Sequence, residues 1–93
     1  MELHTIFKKK SRFAIRNVGN ELILVPLKNN VAEMNEIYTM NEVGNFIWEK
    51  IDGKNNIEDI IFSVIKEFDV DEKTARKDFE KFLLKVSEMI AGS

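Results

Sequence analysis

The hydrophobic period of this chain changes once, near residue 40, and that switch limits the folds open to it. Before Met40 the apolar residues alternate or run in short extended stretches. After Asn41 they recur at intervals of three and four. A strand half therefore precedes a helix half, and a small sheet packed on helices is the economical way to bury both. At 93 residues there is room for one such domain.

In the strand half, Phe13 and Ile15 alternate with Arg12, Ala14 and Arg16, and Gly19-Asn20 supplies a turn. Leu22 to Leu27 follows as a second strand, expected to be buried on both faces. Pro26 lacks a donor and is expected at that strand's end or on an unpaired side. A polar loop from Lys28 to Asn35, with Asn29-Asn30, leads to a third strand over Glu36 to Met40. Residues 1–11 read as an N-terminal arm, either mobile or an extra edge strand, ahead of a domain over 12–93.

The helix half is punctuated by caps. Asn41 opens a helix carrying Val43, Phe46, Ile47, Trp48 and Ile51, and Asp52-Gly53 closes it. Asn56, with Asp59 three positions on, opens a second helix whose apolar side is Ile57, Ile60, Ile61, Val64, Ile65 and Phe68. Asp71 caps a third, which runs to about Ile90 and packs Ala75, Phe79, Phe82, Leu83, Val86 and Ile90. The expected fold is α+β: a winged helix-turn-helix with a three-stranded antiparallel sheet followed by three helices.

Several function classes have no footing in the sequence. His4 is the one histidine and there is no cysteine, so an ordinary tetrahedral zinc site cannot be assembled. The four glycines are scattered, with no phosphate-binding loop among them. Asp69, Asp71 and Glu72 cluster at a helix start, where capping and dipole compensation account for them better than calcium binding. No cofactor and no catalysis are expected. No apolar run approaches a membrane span of ~20 residues, and the lack of cysteine fits a cytoplasmic setting.

The stretch from Met40 to Gly53, read as Asn41-x-x-Gly44-x-x-x-Trp48-x-x-x-Asp52-Gly53, resembles the PqqD-like family. Ile57 and Ile60 fit the family's next helix, and Asp78-Phe79, Phe82-Leu83 and Val86 fit its last one. Glu21 to Leu27 looks like its second strand. The final turn departs from the family's pattern, since Glu88-Met89-Ile90 lacks the usual glycine. The resemblance implies a recognition element for ribosomally made, modified peptides. Such an element binds a precursor's leader segment by strand addition and presents it to a modifying enzyme, often a radical SAM protein.

The residues offer a place for such binding. Strand addition needs an unpaired edge, and the short strand Glu36, Ile37, Tyr38, Thr39 and Met40 is a candidate. On the last helix Lys73, Lys77, Lys81, Leu84 and Glu88 share a face opposite the core, with Arg76 and Glu80 on the flanks. The expected peptide-binding set is therefore Glu36 to Met40 with Lys73, Arg76, Lys77, Lys81 and Leu84. Charge is unevenly spread: residues 49–72 hold eight acids against three bases, a net of −5, while residues 73–85 hold five bases against two acids, a net of +3. Such a split can orient a charged peptide, though helix-end compensation and solubility explain many of the same residues. The rival reading is a winged-helix transcriptional regulator that binds DNA. The overall charge of −2 and the Asp71-Glu72 start of the last helix disfavour it. The free edge and the N-terminal arm also permit a homodimer.

Overall fold

Around the central strand of a small antiparallel sheet the rest of the chain is arranged. The computed structural model describes residues 2–29, 31–32 and 36–92. Strand β1 (Phe13–Val18) turns at Gly19, whose φ is 61°, into β2 (Glu21–Lys28). Their register pairs Phe13 with Pro26 and Val18 with Glu21. On the other edge of β2 lie two short strands, β3 (Val31–Ala32) near its end and β4 (Tyr38–Met40) near its start. Among the described residues the sheet thus has four strands where three were expected. The extra one is a two-residue bridge inside the expected polar loop, and the third expected strand is shorter, beginning at Tyr38. Asn30 and residues 33–35 of that loop lie outside the described residues.

One face of β2 is dry. Leu22, Leu24 and Pro26 are buried, whereas Ile23, Val25 and Leu27 on the other face are only half-buried. The expectation of two buried faces is corrected accordingly, because every helix that contributes to the core lies on one side of the strand. Pro26 forms the last pair of the β1–β2 register, opposite Phe13, and among the described residues has no partner on the edge that carries β3 and β4.

The described residues form four α-helices rather than three. The additional one is α1 (Leu3–Lys9), continued by a 3₁₀ turn over Lys10–Arg12. The N-terminal segment is thus helical where an arm or edge strand was expected. Its anchor is Ile6, 0% exposed in the core, and the Phe7 ring lies over Gly53. Lys10 completes the attachment: its Nζ donates to the carbonyls of Trp48 and Ile51 at 2.8 and 2.9 Å and lies 5.1 Å from the Trp48 ring centre. The Trp48 carbonyl also accepts from the Ile51 N–H at 3.2 Å, so the cation adds a second partner there and compensates the negative end of the helix. Burial lowers the Lys10 pKa, against the opposing pull of Asp52 and Glu49.

The other helices begin where the sequence places their caps. In α2 (Glu42–Lys50) the Asn41 side chain accepts from Gly44 N at 2.9 Å. In α3 (Ile57–Phe68) Asn56 and Asp59 form a reciprocal capping box. In α4 (Glu72–Gly92) Asp71 accepts from Thr74 N at 2.7 Å. Ile47, Trp48, Ile51, Ile60, Ile61, Val64, Ala75, Phe79, Phe82 and Val86 join Leu22 and Leu24 in one core, with Trp48 edge-on to Phe13 at 6.3 Å.

The α2–α3 turn shows why Asp52-Gly53 stands where it does. Asp52 Oδ1 accepts from the backbone N–H groups of Lys54 and Asn55 at 2.8 and 2.9 Å. Gly53 has φ 83°, and a Cβ there would come within 3.0 Å of the Phe7 ring. Gly53→Ala should therefore destabilise the domain by about 1–2 kcal/mol, from the left-handed backbone alone. Urea unfolding checks this, and an unchanged midpoint would mean the turn does not hold that conformation in solution.

Acid should also weaken the fold. Asp52 is held below its ordinary value by backbone hydrogen bonds from Asn55 and Lys54, Asp71 by those from Thr74, and Glu58 by the Arg76 side chain. Each is deprotonated in the folded state at a pH where the unfolded chain already binds a proton. Their stabilisation is complete above the ordinary carboxyl range and is lost as pH falls through the lower folded values. Urea midpoints measured from about pH 6 to about pH 3 should fall steadily. Because these groups are exposed, added salt should shrink the Glu58–Arg76 share of the loss.

Candidate functional site

Between β4 and α4 runs a groove of about 480 Å³. One wall is Thr39 and Met40, with Glu21 of the neighbouring strand and the cap residue Asn41 at its end. Val43 and Gly44 of α2 close it below, and Asp78, Lys81, Phe82 and Lys85 of α4 form the opposite wall. Gly44 lets α2 approach this closely: a Cβ there would stand 3.0 Å from Met40 Cβ. Asn45 braces the same helix against the hairpin, donating to Asn17 Oδ1 and Asn20 O at 3.1 and 3.2 Å.

Polar contacts across the groove come from α4. Lys85 Nζ donates to the backbone carbonyl of Thr39. A carbonyl reached from α4 is one turned away from β2. The register sets Tyr38, Thr39 and Met40 opposite Leu24, Ile23 and Leu22. A residue's N–H and C=O point to the same side and alternate along an antiparallel strand. A Thr39 carbonyl that meets Lys85 therefore implies that the Thr39 N–H also faces the groove and that Tyr38 and Met40 bond to β2.

Of the residues expected to bind peptide, Thr39, Met40 and Lys81 line this groove. Tyr38 is in β4 and half-buried against the core. Glu36 and Ile37 precede the strand, and Glu36 stands 4.0 Å from Lys28. Lys73, Lys77 and Leu84 face solvent outside the groove, Leu84 at 67% exposure. Arg76 lies on the other flank of α4, its guanidinium donating to Glu58 at 2.6 and 3.0 Å and to Glu72 at 3.0 Å. These carboxylates raise the Arg76 pKa still further above its already high value.

Sequence reasoning missed Lys85, Asp78 and Phe82 as groove residues because it took the face opposite the core. At about 100° per residue, Asp78 and Lys85 lie roughly 40–60° from Lys81 on the side nearest Phe82. The groove meets the margin of the core face, since α4 packs on α2 and α3 while its edge overlooks the sheet. Lys85 four residues after Lys81, beside core Phe82, is the signal that would have found it.

Comparison with known proteins bears on this arrangement. The sequence profile described as "Coenzyme PQQ synthesis protein D (PqqD)" matches residues 21–88, which is 68 of the 93 residues. The chain belongs to the PqqD family. The match runs from β2 through most of α4 and so spans every residue lining the groove, while α1 and β1 lie before it. Among solved structures, TbiB1 in complex with the TbiA(beta) leader peptide is similar in fold. The TM-score is 0.68 at 20% identity, covering 86% of this chain and 87% of that one. No curated protein matches the sequence.

Proposed function

We propose that this PqqD-family chain is a non-catalytic peptide-binding module. It captures the leader segment of a ribosomally made precursor peptide by strand addition to β4 and presents it to a modifying enzyme, of the radical SAM class. In this reading α3 and α4 are the helix-turn-helix pair and the β1–β2 hairpin is the wing. The observation that carries it is a strand that, among the described residues, pairs with another strand on one edge only and turns its other edge, held at Thr39 by Lys85, to a helix across a groove. Main-chain pairing with the edge supplies affinity, and side chains of the helix supply selectivity. Likeness to a solved structure that holds a leader peptide supports the same use. The DNA-binding alternative loses its best base-reading residue, because the Arg76 guanidinium is already held by Glu58 and Glu72.

The test is a chemical-shift titration of labelled protein with the leader region of a precursor encoded beside its gene. Saturable shifts clustered on Tyr38–Met40 and on the Asp78 to Lys85 face support the proposal. Silence with peptide, together with salt-sensitive shifts on adding duplex DNA, would replace it with the regulator reading.

A further inference from the structure

The α4 wall of the groove carries ordered charge. Asp78, Lys81 and Lys85 follow one another on successive turns along the same flank. Lys85 spends its ammonium on the Thr39 carbonyl, the acceptor that the N–H of an added strand would need. Pairing a peptide with β4 displaces that exposed ammonium from its acceptor and leaves it on the rim of the groove, where a carboxylate on the incoming strand can meet it. Lys81 stands one turn away.

Resting on the peptide-binding reading above, we propose that the groove selects acidic peptides. The incoming strand carries a carboxylate that takes up Lys85 as it leaves Thr39, and Lys81 draws the same side chain or the next one on that face. The spacing is suitable: residues four apart on a helix rise about 6 Å, and alternate residues of a strand lie about 6.6 Å apart. Asp78 at the other end disfavours acid there, so the charge order also fixes the register of the peptide.

Random dodecapeptides displayed on phage, selected on the full chain and on a Lys81→Glu/Lys85→Glu variant, test this. The variant's folding is checked by circular dichroism, and both positions are exposed. The wild type is expected to enrich peptides with Asp or Glu at one position, or at two positions two apart, and the variant to enrich Lys or Arg there. Synthetic acidic winners should bind the variant about tenfold more weakly, and the wild type more weakly as salt rises. Peptides retained by both proteins without a charge preference would overturn the charge selection and leave peptide binding standing. A folded wild type that retains no peptide would overturn both.

Discussion

Replacing Ile6 with alanine is expected to lower the unfolding free energy by about 2–5 kcal/mol, the usual range for emptying a buried aliphatic site. A domain of this length has roughly 5–14 kcal/mol to lose, so the change is a large fraction of the whole. Ile6 is fully enclosed in the core although it precedes the sheet and the three helices that supply most of it. Phe7→Ala serves as the contrast: its ring is 41% exposed and rests on Gly53, so it should cost about 1 kcal/mol. Urea unfolding of both variants decides the matter. A loss for Ile6→Ala below about 0.5 kcal/mol would place it with ordinary surface changes and show that α1 does not dock in solution.

A second large effect is expected from Thr39→Pro. The substitution removes the backbone N–H that β4 turns towards the groove, while the ladder pairs Leu22 with Met40 and Leu24 with Tyr38 lie on either side. An added strand loses a main-chain hydrogen bond and meets the proline ring at the contact line. Peptide affinity should fall at least about tenfold, or 1.4 kcal/mol. Titration calorimetry with a displayed-peptide winner gives the affinity, and circular dichroism confirms retained helix. Tyr38→Pro acts on the other edge: it removes the N–H that faces Leu24 and breaks the pairing of β4 with β2. Full affinity in folded Thr39→Pro protein would remove β4 from the binding site.

Local chemistry determined much of this protein. Asn41, Asn56 and Asp71 cap their helices because short polar side chains reach free N–H groups one turn on, a relation contained within four residues. The 3.6-residue period of α3 and α4 likewise declares which side chains enter the core, and the Asn41-to-Gly53 pattern pointed to the family. Residues far apart in sequence decided the rest. Nothing in Leu3–Lys9 announces burial of Ile6 or capping of α2 by Lys10, because the acceptors stand about forty positions away. The charge split between residues 49–72 and 73–85 is legible, yet only packing shows Arg76 neutralised by Glu58. The groove is of this second kind. A helical wheel separates core from solvent, but which margin of α4 overlooks the sheet depends on how the helix is seated on α2 and α3. That seating put Asp78, Lys81 and Lys85 beside Thr39 and left Lys73, Lys77 and Leu84 in water, a choice fixed by the tertiary packing of side chains on three elements at once.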